Sequence, residues 1–204
     1  MNYLAHAYLS FDHQEILVGN LISDFVKGKQ KSAYPSGIQR GISLHRSIDA
    51  FTDSHTATKE AKQVFRSAYR LYSGAFIDIV YDHFLANDKN EFSESTLFEF
   101  SNRVYGIVEK NISVVPSSFA RMFSFMKKQN WLYEYRTIQG IEKGFAGLVR
   151  RAVYINESET ASRLFESHYQ LLNDCYRQFW KDVKPFALDT FQSLLNSSTA
   201  DPTL

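Results

Sequence analysis

The stretch LHRSIDAFTDSH, which begins at Leu44, sets His45, Asp49 and Asp53 four residues apart. On a helix that spacing forms one stripe, drifting by roughly 40° per step. Leu44, Ile48 and Phe51 flank the stripe, so part of it is expected to border the core. A carboxylate beside a core loses hydration, and it stays there when a cation, a metal or several hydrogen-bond donors compensate. The segment FIDIVYDHFL repeats the problem: Asp78 and Asp82 lie one turn apart and His83 follows, inside an otherwise apolar and aromatic run. Imidazoles combined with carboxylates suit a divalent cation of borderline to hard character, whether manganese, magnesium, iron or zinc.

Five of the six histidines, His6, His13, His45, His55 and His83, fall in the first 83 residues, together with Asp24, Asp49, Asp53, Asp78 and Asp82. His6 in NYLAHAYLS and Asp24 in GNLISDFVKG each sit in a largely apolar short segment and would bring a ligand from another direction. Adjacent helical residues point about 100° apart, so Asp82 and His83 are not expected to reach one metal together. One of the pair then supports the other. Asp53 and His55 also read as the end of one helix and the cap of the next, because Thr52 to Thr58 is rich in small polar residues. His13 and His168 read as structural. Other chemistries lack their parts: the chain has no Gly-rich phosphate loop, no G-x-S-x-G elbow, no paired-cysteine motif and no H-E-x-x-H.

The elements that must position these groups are helical. Four prolines and nine glycines punctuate 204 residues, while good helix formers recur in long runs. The apolar spacing predicts helices near Asn2 to Ser10, Glu15 to Lys27, Ser36 to Thr52 and from Thr56 on, then one spanning Phe76 to Leu85. Further helices are predicted near Glu94 to Glu109, Pro116 to Gln129, Thr137 to Tyr154 and Glu157 to Asp182. Pro185 is expected to interrupt the last pattern before a terminal helix from Phe186 to Leu195. The expected organisation is a single all-helical domain over residues 1–195 and a polar tail over 196–204. A hydrophobic share of 44% with 22% charged residues excludes a disordered chain.

A net charge of +1 argues against a general nucleic-acid binder. Locally the charge is uneven: Lys27, Lys29, Lys31, Arg40 and Arg46 occupy a segment with no acid between Asp24 and Asp49, a strip able to meet an acidic partner. The single Cys175 leaves no intrachain disulfide and reads as a small core residue. No run approaches the length of a membrane span, and the start MNYLAHAYLSFDH lacks a basic region followed by a long apolar run, so no membrane association and a cytoplasmic location are expected.

The blocks MNYLAHAYLS, VGNLISDFVKG, GISLHRSIDAFTDSH and DIVYDHFLA, in that order, carry a resemblance to the acyl carrier protein phosphodiesterase family. Later segments NWLYEYR, GLVRR and HYQLLNDCYRQFW extend it over most of the chain. The resemblance implies an all-α helical bundle distantly similar to the HD-domain phosphohydrolases. It further implies manganese-dependent hydrolysis of holo-acyl carrier protein to the apo form and 4′-phosphopantetheine, and a link to fatty acid biosynthesis. Carried over residue by residue, it makes Asp24, His45 and Asp82 the leading metal ligands and His6 and His83 further ligands or supports. Asp49 and Asp53 become supports or the general base, Arg46 a phosphate contact, and Asp49 or His83 the acid that protonates the leaving serine. The order departs from the usual HD pair, which here reads Asp82-His83 with the other groups spread before it. Since acyl carrier proteins are acidic, Lys27, Lys29, Lys31 and Arg40, joined by Lys127, Lys128, Arg150 and Arg151, are the expected docking residues.

Two other functions are compatible with the residues. An HD-like phosphohydrolase acting on a nucleotide or another small phosphoester would turn over small substrates with no protein present. A non-catalytic helical module would hold an acidic partner on the basic strip and bind no divalent ion.

Overall fold

Apolar side chains at helical spacing bury as eleven α-helices in the computed structural model, which describes residues 2–196. In chain order these are α1 (Tyr3–Tyr8), α2 (Gln14–Ile22), α3 (Ser36–Ser54), α4 (Thr56–Tyr69), α5 (Ser73–Asn87) and α6 (Glu94–Lys110). The rest are α7 (Ser117–Lys128), α8 (Trp131–Glu134), α9 (Ile138–Arg151), α10 (Glu159–Ser167) and α11 (Tyr169–Asn196). The described residues contain no strand, so the all-α expectation holds. From residue 197 on, the expected polar tail lies outside the described residues. None of the described helices is long and apolar enough to cross a membrane.

The centre is α5, in which every residue from Ile79 to Ala86 is buried. A helix apolar around most of its circumference must be covered on most sides, and α1, α4, α9 and α11 all pack on it. Phe76 stacks on Phe65 of α4 with ring centroids 5.5 Å apart and meets Phe145 of α9 edge-on at 5.2 Å. Tyr81 stacks on Phe179 of α11 at 4.9 Å.

The closest helix pair is α2 against α3, and glycines make it possible. A Cβ on Gly19 would lie 2.1 Å from the Ile38 carbonyl oxygen and 2.9 Å from Gly41 Cα, and one on Gly41 would lie 2.2 Å from the Ile16 carbonyl oxygen. The backbones therefore touch at this crossing. That contact brings Asn20, and Asp24 in the 3-10 turn Ser23–Phe25, beside the middle of α3.

Two expectations about helix ends give way. The helix expected to run to Lys27 stops at Ile22 and tightens into that 3-10 turn. At the other end of the chain, the break falls at His168, whose Nδ1 donates to the Leu164 carbonyl oxygen at 3.0 Å, and α11 then continues through Pro185. A helix-interior proline costs about 3 kcal/mol through the lost N–H and ring clash. Phe179, Val183 and Ala187, one turn apart on either side of it, are all buried, and Lys184 is ion-paired to Glu91, which together hold the helix across the proline.

Candidate metal centre

Three separate elements bring four side chains together. α1 carries His6, α3 carries His45 and Asp49 one turn apart, and the turn after α2 carries Asp24. The His6 and His45 rings stack with centroids 3.9 Å apart at 15°. Asp49 spans both: one carboxylate oxygen lies 3.2 Å from His6 Nε2 and the other 3.0 Å from His45 Nε2. Asp24 approaches His45 Nε2 from outside at 3.2 Å. One ligand atom each from His6, His45 and Asp49 lies within 4.8 Å of the others, an arrangement able to hold a metal ion.

The protons show what such a site demands. His45 Nδ1 lies 2.7 Å from the Asn20 carbonyl oxygen, which only accepts, so Nδ1 must donate. A neutral ring would present a lone pair at Nε2 to two carboxylates, so the junction is held together by positive charge at that point, either a proton on Nε2 or a metal ion in its place. Against burial, Asp24 and Asp49 hold the His45 imidazole up to about 9. Burial and then the neighbouring His45 charge push His6 down to about 4. His45 keeps the Asp24 carboxyl below its ordinary value. Asp49 also lies well below the usual carboxylate range: burial opposes this, and its hydrogen bonds to His45 and His6 favour the anion. Buried His6 Nδ1 finds no hydrogen-bond partner among the described residues. Two imidazoles and two carboxylates around a point that needs positive charge fit a divalent ion.

Asn20 ties this junction together, and its role was hidden in the sequence. Its main-chain carbonyl fixes His45, while its side-chain amide donates to the His6 carbonyl at 2.8 Å and to Ser10 Oγ at 3.0 Å. The signal was there in one form: an amide inside the apolar run LVGNLI, fully buried in the fold.

Asp82 is buried completely, and both its oxygens accept main-chain N–H groups at the start of α1, from Leu4 at 2.8 Å and Ala5 at 3.1 Å. Asn2 supplies no side-chain cap there, so α5 caps α1 from outside and holds the helix that bears His6. Burial pushes the Asp82 carboxyl up to about 7, with the two N–H donors opposing. His83 turns to other partners, as the angle between neighbours on a helix requires: Nδ1 donates to the Tyr135 carbonyl at 2.7 Å and Nε2 lies 3.3 Å from the Tyr169 hydroxyl. Burial lowers its basicity.

Asp53 is exposed and pairs with Lys62 at 2.7 Å. Arg46 donates to the Val26 carbonyl at 3.1 Å, close in sequence to His45 but engaged with the backbone after Asp24. His55 and His13 cap α4 and α2 through ring nitrogens that accept from Ala57 and Ile16 N–H groups. Lys27 and Lys29 project from the exposed turn Gly28–Ala33 and its entry, and half-buried Lys31 donates to Ser43 of α3. Arg40 lies half-buried on α3.

A family model described as acyl carrier protein phosphodiesterase matches residues 1–183. The chain is 32% identical to a protein of Enterobacter sp. named acyl carrier protein phosphodiesterase, over 88% of this chain and 94% of that one. Proteins of the same name from Yersinia pestis and Photorhabdus laumondii are 30% and 29% identical, each over 88% of this chain and over 94% and 91% of their own. No solved structure matches.

Proposed function

Because the chain belongs to the acyl carrier protein phosphodiesterase family, we propose that it is a hydrolase that cleaves holo-acyl carrier protein into the apo protein and 4′-phosphopantetheine. Water adds to phosphorus, the bond from phosphorus to the serine oxygen breaks, and the serine takes up a proton. The observation that carries the assignment of the site is the junction of His6, His45, Asp49 and Asp24, in which two imidazoles and two carboxylates converge on one point.

His6, His45 and Asp49 would hold the metal, with Asp24 completing the set from the solvent side; the mixed imidazole and carboxylate donors suit a divalent ion of borderline to hard character, of which Mn2+ is the one the family resemblance implies. When bound, the ion supplies Lewis-acid polarisation of the phosphoryl group and acidification of water. Asp49, gripped by both imidazoles, keeps the two rings in register. Asp24, exposed on its outer side, is the ligand on the side from which water can enter. Asn20 fixes the His45 tautomer, and Asp82 fixes α1. Lys27, Lys29, Lys31 and Arg40 offer positive charge near Asp24 to an acidic carrier protein, and they act mainly on the rate of encounter.

The decisive experiment incubates the purified chain with holo-acyl carrier protein and Mn2+ and follows loss of the arm by intact-protein mass spectrometry. Wild type should release 4′-phosphopantetheine and His45→Ala should not. Equal release by the two proteins would refute the assignment of the site.

A further inference from the structure

One helical turn before His6, Asn2 and Tyr3 wall a cavity of about 390 Å3. Trp131 and Tyr135 line it from the α8 segment, Gly144 and Gly147 from α9, and Arg150 and Arg151 from the end of α9. Its size falls in the range of small-molecule sites. Tyr3 lies on the same helix as His6, one turn before it, so the cavity and the metal centre share α1, and the Tyr3 hydroxyl donates to Met122 Sδ at 3.1 Å.

The glycines of α9 are not equivalent. A Cβ on Gly140 would lie 1.8 Å from the Glu134 carbonyl oxygen, and one on Gly144 would lie 2.9 Å from Ile79 Cγ2, so close packing accounts for both. Gly147 has no such reason: a Cβ there would meet nothing nearer than an Arg150 guanidinium nitrogen at 3.6 Å. Gly147 is nonetheless buried. A glycine inside a helix weakens it; what this one preserves is room, beneath two arginines.

We propose that this cavity receives the pantetheine part of the arm, with the phosphate end at the His6, His45 and Asp49 junction, and that Gly147 keeps the space the arm occupies. The inference rests on the carrier-protein reading above. The lining suits this ligand better than a bare alkyl chain, because it mixes flat aromatic surface at Trp131 and Tyr135 with polar groups such as Asn2 and Gln129 that can meet the two amides of the arm. Asn2 already donates to the Tyr135 hydroxyl at 2.8 Å, so these groups are held in place at the wall. Arg150 and Arg151, exposed at the end of α9, add positive charge to the cavity wall.

The test uses the full chain and free pantetheine, which lacks the phosphate and so reports on the cavity alone. Trp131 lines the cavity, whereas Trp180 is bonded to Glu91 elsewhere. Pantetheine should change the fluorescence of wild type saturably, and Trp131→Phe should remove that change. Gly147→Leu should abolish it and raise KM for holo-carrier protein by about tenfold or more, the scale at which a filled pocket discriminates. Gly147→Ala, for which there is space, keeps the fold and should give a smaller rise. Gly106→Leu, at a helix glycine of α6 with nothing within 4 Å, is the control and should match wild type. If the Gly147 variants keep the wild-type KM and the wild-type response to pantetheine, the cavity is not the arm site. If wild type binds pantetheine but releases no arm from holo-carrier protein, the carrier-protein reading fails instead.

Discussion

His45 gives its Nδ1 proton to the main-chain carbonyl of Asn20 at 2.7 Å, and this leaves Nε2 as the nitrogen aimed at Asp24 and Asp49. The same residue's side-chain amide holds the carbonyl of His6. One buried asparagine thus orients the His45 imidazole by its backbone and anchors the main chain of His6 by its side chain. Positioning of this kind decides how well a ligand set binds its metal.

Asn20→Ala keeps the carbonyl and deletes the amide. Two buried acceptors, the His6 carbonyl and Ser10 Oγ, lose a donor, so we expect a stability loss of about 1–3 kcal/mol and Mn2+ affinity about tenfold weaker. Urea melts and calorimetric titration with Mn2+ measure the two. Unchanged affinity would show that His6 needs no such anchor.

Asp82→Ala removes the cap of α1 and leaves the buried N–H groups of Leu4 and Ala5 without acceptors. The expected cost is about 2–4 kcal/mol by chemical denaturation, with Asp82→Asn, which keeps one acceptor, intermediate. A variant of wild-type stability that had lost Mn2+ binding would make Asp82 a direct ligand.

Glu91 accepts from Lys184 and from Trp180 Nε1 at 2.8 Å, and Tyr8 donates to it as well. Burial would raise its carboxyl, but these donors, Lys184 first, hold it below the ordinary value. A group whose folded pKa is depressed stabilises fully above its unfolded value, near 4.3, and that contribution disappears as pH falls through the folded value. Stability should therefore decline below about pH 5, and Glu91→Gln should be less stable at neutral pH and lose less on acidification. Urea midpoints across that range would decide, and parallel curves would rule the idea out.

Cys175 is buried in α11, and burial pushes its thiol up to about 11. The thiolate is the reactive form, so the native protein should resist a thiol reagent at mildly alkaline pH and react with one equivalent once unfolded. Rapid labelling of the native chain would mean that α11 opens locally.

Gly147→Ala adds a methyl at a helical site where there is room for it. The thermal midpoint should rise, by the equivalent of about 0.5–1 kcal/mol. A stabilised variant with impaired kinetics would show that the glycine is kept for its space.

Local chemistry could be read directly from the residues. A four-residue spacing places His45 and Asp49 on one face of any helix they occupy, and their hydrogen bond within α3 follows from that geometry alone. The 100° step between neighbours likewise separated Asp82 from His83, which take partners in α1 and at Tyr135. Small polar residues around His55 marked the junction of α3 and α4. Pro185 misled because its cost is local, whereas the burial that carries α11 past it comes from α3 and α4.

What the sequence by itself determined was the helical periodicity, the acids and imidazoles on each helix face, and through its motif blocks the family. Which faces meet was decided only in three dimensions. His6 and Asp49 are 43 residues apart and Leu4 and Asp82 are 78 apart, and no spacing rule reaches that far. The touching backbones at Gly19 and Gly41 and the capping of α1 by α5 set those distances. They turn a scatter of histidines and aspartates into one junction that calls for positive charge, from a proton on His45 or from a metal ion, because buried acceptors tolerate one another only around positive charge.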